Sequence, residues 1–586
     1  MYKQVLAPLL GSLGWSSLVA AAPLIVLFVL LGVVRMRAWL AALISLAVSV
    51  VVAIFVYPMP VGAALLSASE GAAFGFFPIL WIVINAIWIY TMTVYTGHFD
   101  VLRRSFARVS DDQRIQGVII AFSFGALLEA LAGFGTPVAI SSVMLIALGF
   151  KPLKAATVSL VANTAPVAFG ALAVPITTLA TVTGLPLQSL SSMVGRQTPI
   201  LGVFVPLVLV LIIDGARGVR QTWPGALLCG VVFAVTQFAV SNYVSAPLTD
   251  IVASLLSAGA LVLFLRVWQP TRPEEALVEP GATRVAGATV AAGTGTPSLV
   301  TDRPATGSGG SGGSDGGTGS DNGTGSDGGA GGADAAIRDS RAEVFRAYAP
   351  YLIIIAVFAL AQVPAIKDAL TSVTKTFHWP GLNIVSPSGK ASTLPAFKFD
   401  WLDAAGTLLV IAGLLTIPVI RIRPARALHA YFATYRQLAP AIVTVMAVLA
   451  LAYVMNASGQ TTTLGTWMAG AGGIFALLSP VLGWLGVAVT GSDTSSNSLF
   501  GGLQVVAAQK VGLSTVLMAA ANSSGGVLGK MISPQNLAIA AAAVGLSGRE
   551  GDLFRRVFLW SLVFLAVMCL VVLLQSTSLL SWMVVG

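Results

Sequence analysis

The sequence predicts an all-α polytopic membrane protein of about 12 to 14 membrane segments, built as two repeats of inverted topology with broken or re-entrant helices. Three observations carry this reading. Hydrophobic residues make up 56% of 586 positions and charged ones only 9%, with mean hydropathy +0.88, a balance that needs lipid as its solvent. Apolar stretches of membrane-crossing length recur throughout the chain. Polar residues flanked by Gly and Pro interrupt those stretches at matching places in the two halves.

The apolar stretches begin with Ser16 to Val34, Ala38 to Tyr57 and Phe76 to Gly97, and end with Val557 to Leu574. The first is longer than a signal peptide's apolar core and a second follows almost at once, so it reads as retained. Cys229 and Cys569 each lie inside an apolar segment and read as small buried hydrophobes, with no redox or metal chemistry implied.

The net charge of +9 does not form a nucleic-acid surface, because the cations cluster in short loops between apolar segments. Arg35 and Arg37 share a side with Arg103, Arg104, Arg108, Arg114, Lys151, Lys154, Arg217, Arg220, Arg266, Arg421, Arg423, Arg426 and Arg436. The positive-inside rule makes that side cytoplasmic. Both chain ends then fall outside, with Arg549, Arg555 and Arg556 inside, in a multi-pass protein of the cell (inner) membrane.

Three regions follow: a first membrane half over 1–269, a Gly/Ser/Asp-rich cytoplasmic linker over 270–342, and a second half over 343–586. The linker's composition is that of a flexible, disordered segment. Within it, 316–321 (GGTGSD) opens like a calcium-binding repeat, but Asn322 stands where such a repeat needs an apolar residue. The sequon at Asn322 would meet no glycosylation machinery on the cytoplasmic side.

The two halves carry related motifs. Gly133-Phe-Gly-Thr136 is followed by Asn163-Thr-Ala-Pro-Val-Ala-Phe-Gly170 and Pro175; Gly491-Ser-Asp-Thr494 is followed by Asn522-Ser-Ser-Gly-Gly-Val-Leu-Gly529 and Pro534. The Asn, Gly and Pro keep the same spacing in both. Polar side chains at apolar depth need partners, and Gly and Pro break the helical ladder where they stand. Paired interruptions of this kind point to the binding site of a transporter.

Broken helices favour an anionic substrate, since free N–H groups and the positive end of the helix dipole face the gap. The groups expected to hold it are Thr136, Asn163, Thr164, Thr494, Ser495, Ser496, Asn497, Asn522, Ser523 and Lys530. Gly133, Gly135, Gly491, Gly525 and Gly526 would allow close backbone approach or, alternatively, tight helix packing. Among intramembrane acids, Glu129 and Asp493 are the preferred proton carriers, with Glu70 a third candidate and Asp403, near the outer boundary, a weaker one. Lys530, matched by Ala171 in the first half, would bind the substrate or serve as counter-ion to Asp493 or another acid. Arg196 reads either as functional or as a loop cation, and His98 as interfacial.

An inside-negative potential opposes a monoanion by about 2.3 kcal/mol per 100 mV, and one accompanying proton cancels that opposition. Sodium coupling and cation/proton antiport remain open at this stage. A membrane-embedded enzyme is disfavoured: the chain lacks HExxH and GxSxG, and its three histidines, His98, His378 and His429, form no evident catalytic constellation. No cofactor or metal is expected.

At four blocks the sequence resembles the bacterial L-lactate permease family: LLEALAGFGTPVAI from Leu127, ANTAPVAFGA from Ala162, TGSDTSSNSLF from Thr490 and ANSSGGVLGKMISPQN from Ala521. The resemblance covers nearly both hydrophobic halves. It implies uptake of L-lactate, D-lactate or glycolate, small hydroxy-monocarboxylates, by proton symport, and it implies the inverted-repeat architecture. The Gly-rich linker departs from the family's usual pattern.

Overall fold

The computed structural model describes residues 2–585 except 35, 108, 111, 132, 134, 271–338, 362, 386–394, 547 and 548. Arg35, Arg108 and nearly all of the expected linker, with its calcium-like and sequon motifs, lie outside the described residues. The fold is helical, and the described strands form two small sheets. Ten described helices are long and apolar enough to cross a membrane, or eleven when Pro152–Ala162 and Val167–Thr183, bent by 66°, count as one broken span. The sequence count of about 12 to 14 is approached once two further features are included. The run Leu187–Tyr243 doubles back, and Thr136–Ala147 and Ala405–Val419 are apolar helices too short to pass alone.

The elements that build the site are, in chain order, α1 (Gly125–Leu131), α2 (Thr136–Ala147), α3 (Pro152–Ala162), α4 (Gly170–Thr183), α5 (Thr198–Tyr243), α6 (Thr249–Phe264), α7 (Pro424–Ser458), α8 (Phe475–Thr490), α9 (Asp493–Val511), α10 (Thr515–Gly529), α11 (Pro534–Ala543) and α12 (Glu550–Gln575). Helix α5 folds back at Gly215, whose φ of 68° and ψ of −160° no helix contains. Large apolar side chains such as Phe55, Val235, Leu263 and Leu559 point outward, as lipid-facing surface requires. Trp15, Trp223, Trp467 and Trp582 are also exposed, and such amphipathic rings suit the membrane–water boundary.

The packed interior is built by small residues. Along α10, a methyl added at Gly525 or Gly529 would collide with the Pro480 or Trp484 carbonyl of α8, and one at Gly483 of α8 with the Asn522 carbonyl. Helices that approach this closely gain dispersion contacts that larger residues would prevent, which is how helices associate where lipid removes the hydrophobic drive.

On one face β1 (Tyr2–Lys3) pairs in parallel with β3 (Ile384–Val385), and β2 (Lys375–His378) pairs antiparallel with β4 (Ala396–Phe399). Tyr2 Oη donates to the carbonyls of Tyr57, at 2.6 Å, and Ser458, at 2.9 Å, so the N-terminus is fastened beside the ends of two spans. Asp403 precedes Ala405–Val419 at this rim, half-buried; burial and the neighbouring Asp400 hold its carboxyl above the usual aspartate range. Arg114 does more than report topology. It is fully buried, paired with Asp112 at 2.7 Å and Asp214 at 3.0 Å, and so ties the start of one span to the turn of α5.

Candidate functional site

Four interruptions converge in the interior. Between α1 and α2, Gly133 and Gly135 take φ of 50° and 84°, a left-handed backbone that only glycine adopts without strain. Between α3 and α4 the chain unwinds from Asn163, and Ala171, Leu172 and Ala173 then take φ of 44°, 56° and 61°. Three consecutive left-handed non-glycine residues cost roughly 1–2 kcal/mol each, and strain of this kind clusters at binding sites. Between α8 and α9 the break is Gly491 and Ser492, with the Ser492 hydroxyl accepting from the Ser495 N–H. Between α10 and α11 a single turn, Lys530–Ile532, leads to Ser533, which caps α11 ahead of Pro534.

These interruptions fall at matching positions of the two halves, 133–135 with 491–492 and 171–173 with 530–533, as the shared motif spacing anticipates. The Asn residues do not match in structure. Asn163 caps α3, whereas Asn522 lies within α10. The cause is local: Pro166, which has no N–H and would clash with a preceding carbonyl, stands where the second half has Gly525, so α10 continues for two further turns.

Two parts of the site join the halves. Lys530 Nζ donates to Glu129 Oε1 at 2.5 Å; the two residues are 6% and 3% exposed, so the pair is closed to solvent. Glu129 packs on glycine backbone, for a methyl added at Gly170 would stand 2.7 Å from its Oε1. Asp493, at the start of α9, accepts from Ser523 Oγ at 2.6 Å and Asn497 Nδ2 at 3.2 Å, and lies within electrostatic reach of Lys530. An amide chain backs it: Gln504 donates to Asn522 at 3.1 Å and Asn522 to Asn497 at 2.9 Å, while Asn497 also donates to the Pro175 carbonyl of α4 at 3.1 Å. Asn536 ties Ser533 to the Lys530 carbonyl. A methyl on Gly135 would meet Asn536, and one on Gly491 would meet Gln535, so the first turn of α11 lies against both glycine breaks.

The expected residues therefore divide. Asp493, Asn497, Asn522 and Ser523 form one hydrogen-bonded cluster, and Lys530 with Glu129 forms a buried ion pair within its electrostatic reach. Thr164 turns its hydroxyl back to the Val161 carbonyl, 2.5 Å away, and Ser496 donates to the Gly483 carbonyl at 3.1 Å, which places both in helix capping and packing. Thr136 and Thr494 are half-buried at helix starts and Ser495 is buried. Glu70 stands apart, fully buried on the helix Val61–Phe74 beside Tyr453 of α7. Gly525 and Gly526 seat the backbone of α8 and the carboxyl of Asp493, the packing alternative. Arg196 donates to Asn242 and the Met583 carbonyl, fastening the chain end, and His98 contacts Thr96 at a helix start.

Several buried atoms here have no hydrogen-bond partner: Asn163 Oδ1, Glu129 Oε2 and Asp493 Oδ1. Buried polar groups are normally satisfied, and these three atoms keep the capacity to bond a ligand or a proton. The sequence reading missed Asp250, Gln197, Gln237, Gln504 and Gln575, all buried polar groups in or beside apolar runs. The signal was there: an Asp or Gln at apolar depth is as informative as an Asn.

Gly526→Ala gives a direct check on the seat of Asp493. The added methyl would collide with Asp493 Oδ1 and crowd Val487, so stability in detergent is expected to fall by roughly 1–3 kcal/mol, the usual cost of overpacking. An unchanged thermal unfolding curve would show that α9 moves aside freely.

Membrane-length helices around a closed polar cluster at paired breaks define a multi-pass membrane protein with a buried polar site. The L-lactate permease family matches residues 16–296 and 326–579, and the chain belongs to that family. It is 41% identical over 588 residues to glycolate permease GlcA of Escherichia coli K12, covering 98% of both chains, and 40% identical over 602 residues to the L-lactate permease of Bacillus subtilis 168, covering all of both. Among solved structures, the YdaH transporter of Alcanivorax borkumensis aligns over 86% of each chain at 14% identity with a TM-score of 0.39, too slight a likeness to carry mechanism.

Proposed function

We propose that this chain takes up L-lactate, D-lactate and glycolate by proton symport, and that the Lys530–Glu129 pair is where proton and anion are coupled. The relatives named above carry lactate and glycolate permease names, which supports the substrate class. The ion pair supports the coupling. Lys530 is the ammonium at the breaks, and in the closed form Glu129 occupies it.

A substrate carboxylate and the Glu129 carboxylate compete for one cation. Protonating Glu129 removes the competitor and frees Lys530 for the anion, so proton and substrate each raise the other's affinity by the same factor. With both bound, the site gains no net charge, and the membrane potential no longer opposes inward movement. The unpartnered Asn163 Oδ1 is suited to accept from the substrate's 2-hydroxyl, and the N-terminus of α11 to face its carboxylate. Glu129, Asp493 and Lys530 are all buried, so entry requires the breaks to open toward one side at a time.

The two halves are read as repeats of inverted topology, and one hydrogen bond and one charge interaction support it. Gln113 donates to the Leu148 carbonyl at 2.8 Å, so the α1–α2 arm returns to the side on which it began, near Lys154. The charge of Arg556 at the start of α12 acts on Lys154. On this reading the end of α11 shares that side, and the start of α10 and the base of the α8–α9 arm lie opposite.

Purified protein in liposomes should accumulate labelled lactate above equilibrium under an inward proton gradient at zero sodium. Accumulation that needs a sodium gradient, or none under either gradient, would refute proton symport.

A further inference from the structure

Helix α5 is a hairpin whose two limbs touch at glycines. A methyl added at Gly230 would collide with the Val203 carbonyl, and one at Gly202 would stand 3.4 Å from Phe233. Between that crossing and the turn at Gly215 lies an open groove of about 350 Å³, lined by Phe204, Leu207, Val208 and Leu211 of the first limb and by Val219 and Arg220 of the second.

The groove joins two chemistries. Phe204, Leu207, Val208 and Leu211 recur at spacings of three and four, so they form one stripe of the helix; the opposite stripe, Leu201, Val205, Leu209 and Ile213, is buried in the core. Phe204 and Leu211 are exposed. The stripe runs about 10 Å along the helix, against roughly 15 Å for the hydrocarbon of one leaflet. At its turn end stand Arg217 and Arg220, on the side that the positive-inside rule makes cytoplasmic. Both are exposed, and among the described residues no hydrogen bond or ion pair engages either. The acid of the turn, Asp214, is taken by the buried Arg114 at 3.0 Å. Lys154 brings a third cation to the turn, its Nζ donating to the Ile213 carbonyl at 2.7 Å.

We propose that this groove is a binding site for an anionic phospholipid of the cytoplasmic leaflet, with an acyl chain along the stripe and the phosphate at Arg217 and Arg220. One occupant has to satisfy both the apolar stripe and the unpaired guanidiniums. A soluble anion meets only the second need. A twofold copy of this chain would bring the same patch, and with it the same arginines, against these. A zwitterionic lipid would set its own cation beside them. Basic pockets between helices on the cytoplasmic side take anionic headgroups for this reason. The bound lipid bridges the limbs of α5 at their open end, beside the Asp214–Arg114 pair. The site is separate from the Lys530–Glu129 pair and stands whichever substrate the chain carries.

The test uses the full chain in detergent and phosphatidylglycerol with a photoreactive group in its acyl chain. Labelled peptides should cover 204–211, and phosphatidylcholine with the same chain should label them about tenfold less at equal concentration, since it offers the arginines no net charge. A guanidinium at the membrane surface contributes about 1 kcal/mol, or about fivefold in affinity, so Arg217→Gln with Arg220→Gln should weaken labelling by about thirtyfold. Arg217→Lys with Arg220→Lys, which keeps the charge, should keep most of it, and Val208→Trp, which fills the groove and leaves the arginines, should lose it. Equal labelling by the two lipids would make the groove ordinary lipid boundary and overturn the proposal. Undiminished labelling in the glutamine pair would show that the arginines hold no headgroup, and equal loss in the lysine and glutamine pairs would assign the effect to structure instead of charge. Cross-links between two chains through 204–211, in place of lipid labelling, would make the groove a contact between copies.

Discussion

Lys530→Gln is expected to abolish lactate counterflow and to lower the stability of the protein by about 3–5 kcal/mol, because removing one partner of a buried ion pair leaves the other charge unpaired. Both consequences come from one geometry. Lys530 Nζ bonds Glu129 inside a cluster that is closed to water, so without the ammonium neither Glu129 nor an incoming carboxylate has a cation. The companion substitution separates the two roles. Glu129→Gln keeps a hydrogen-bond acceptor beside Gly170 and frees Lys530, so counterflow should persist and lose its dependence on acid pH, while proton-driven accumulation disappears. In the wild type, substrate affinity should rise as pH falls, since each proton bound to Glu129 removes a competitor for Lys530. The double variant, Lys530→Gln with Glu129→Gln, should recover most of the lost thermal stability and none of the transport. Thermal unfolding in detergent together with counterflow reads all four. If Lys530→Gln bound lactate with normal affinity, the ammonium would not be the anion's partner.

How far the site could be read beforehand depended on the kind of signal. The interruptions were legible because Gly and Pro act locally: Gly133, Gly135 and Gly491 take left-handed backbone where the motifs placed the breaks, and Pro534 begins α11. The pairing of Lys530 with Glu129 was legible only as one option among several. It joins residues from different halves, and no local rule says which acid of Glu70, Glu129, Asp403 or Asp493 a lysine will meet. Asp250 was missed for a related reason. It stands at the edge of its apolar run, just after Ser245-Ala-Pro-Leu-Thr249, where an acid ordinarily caps a helix beside water; the packing of α5 and α1 around it makes it a buried group. The fold class needed only composition and apolar length. The turn at Gly215 was legible as well, because Asp214, Arg217 and Arg220 break the apolar run there and read as a loop between two spans.

The two asparagines that occupy matching positions in the motifs should behave differently when each is replaced by alanine, and the difference tests whether the halves have divided their labour. Asn522 is engaged on both ends of its amide: it accepts from Gln504 and donates to Asn497, which in turn donates to Asp493. Removing it leaves a buried donor on Gln504 short of one acceptor and a buried acceptor on Asn497 with nothing, and each unsatisfied group costs about 1–3 kcal/mol. Asn522→Ala is therefore expected to destabilise the protein by about 2–5 kcal/mol and to weaken uptake indirectly, by loosening the holder of Asp493. Asn163 has a buried side-chain oxygen that no protein group satisfies, so its loss removes little from the fold. Asn163→Ala should unfold at nearly the wild-type temperature and raise KM for lactate by about tenfold, the value of one hydrogen bond to a substrate hydroxyl at about 1.4 kcal/mol. For a carboxylate that lacks the 2-hydroxyl, KM should be nearly the same in Asn163→Ala as in the wild type, since the lost contact was to that hydroxyl. Equal thermal losses in the two alanine variants would mean that the amide chain through Asn522 is dispensable. Equal KM changes for substrates with and without the hydroxyl would mean that Asn163 does not read it. If both patterns hold, the second half supplies the rigid holder of the charge and the first half supplies the open contact to the substrate, as Pro166 in place of a glycine dictates by stopping α3 where α10 continues.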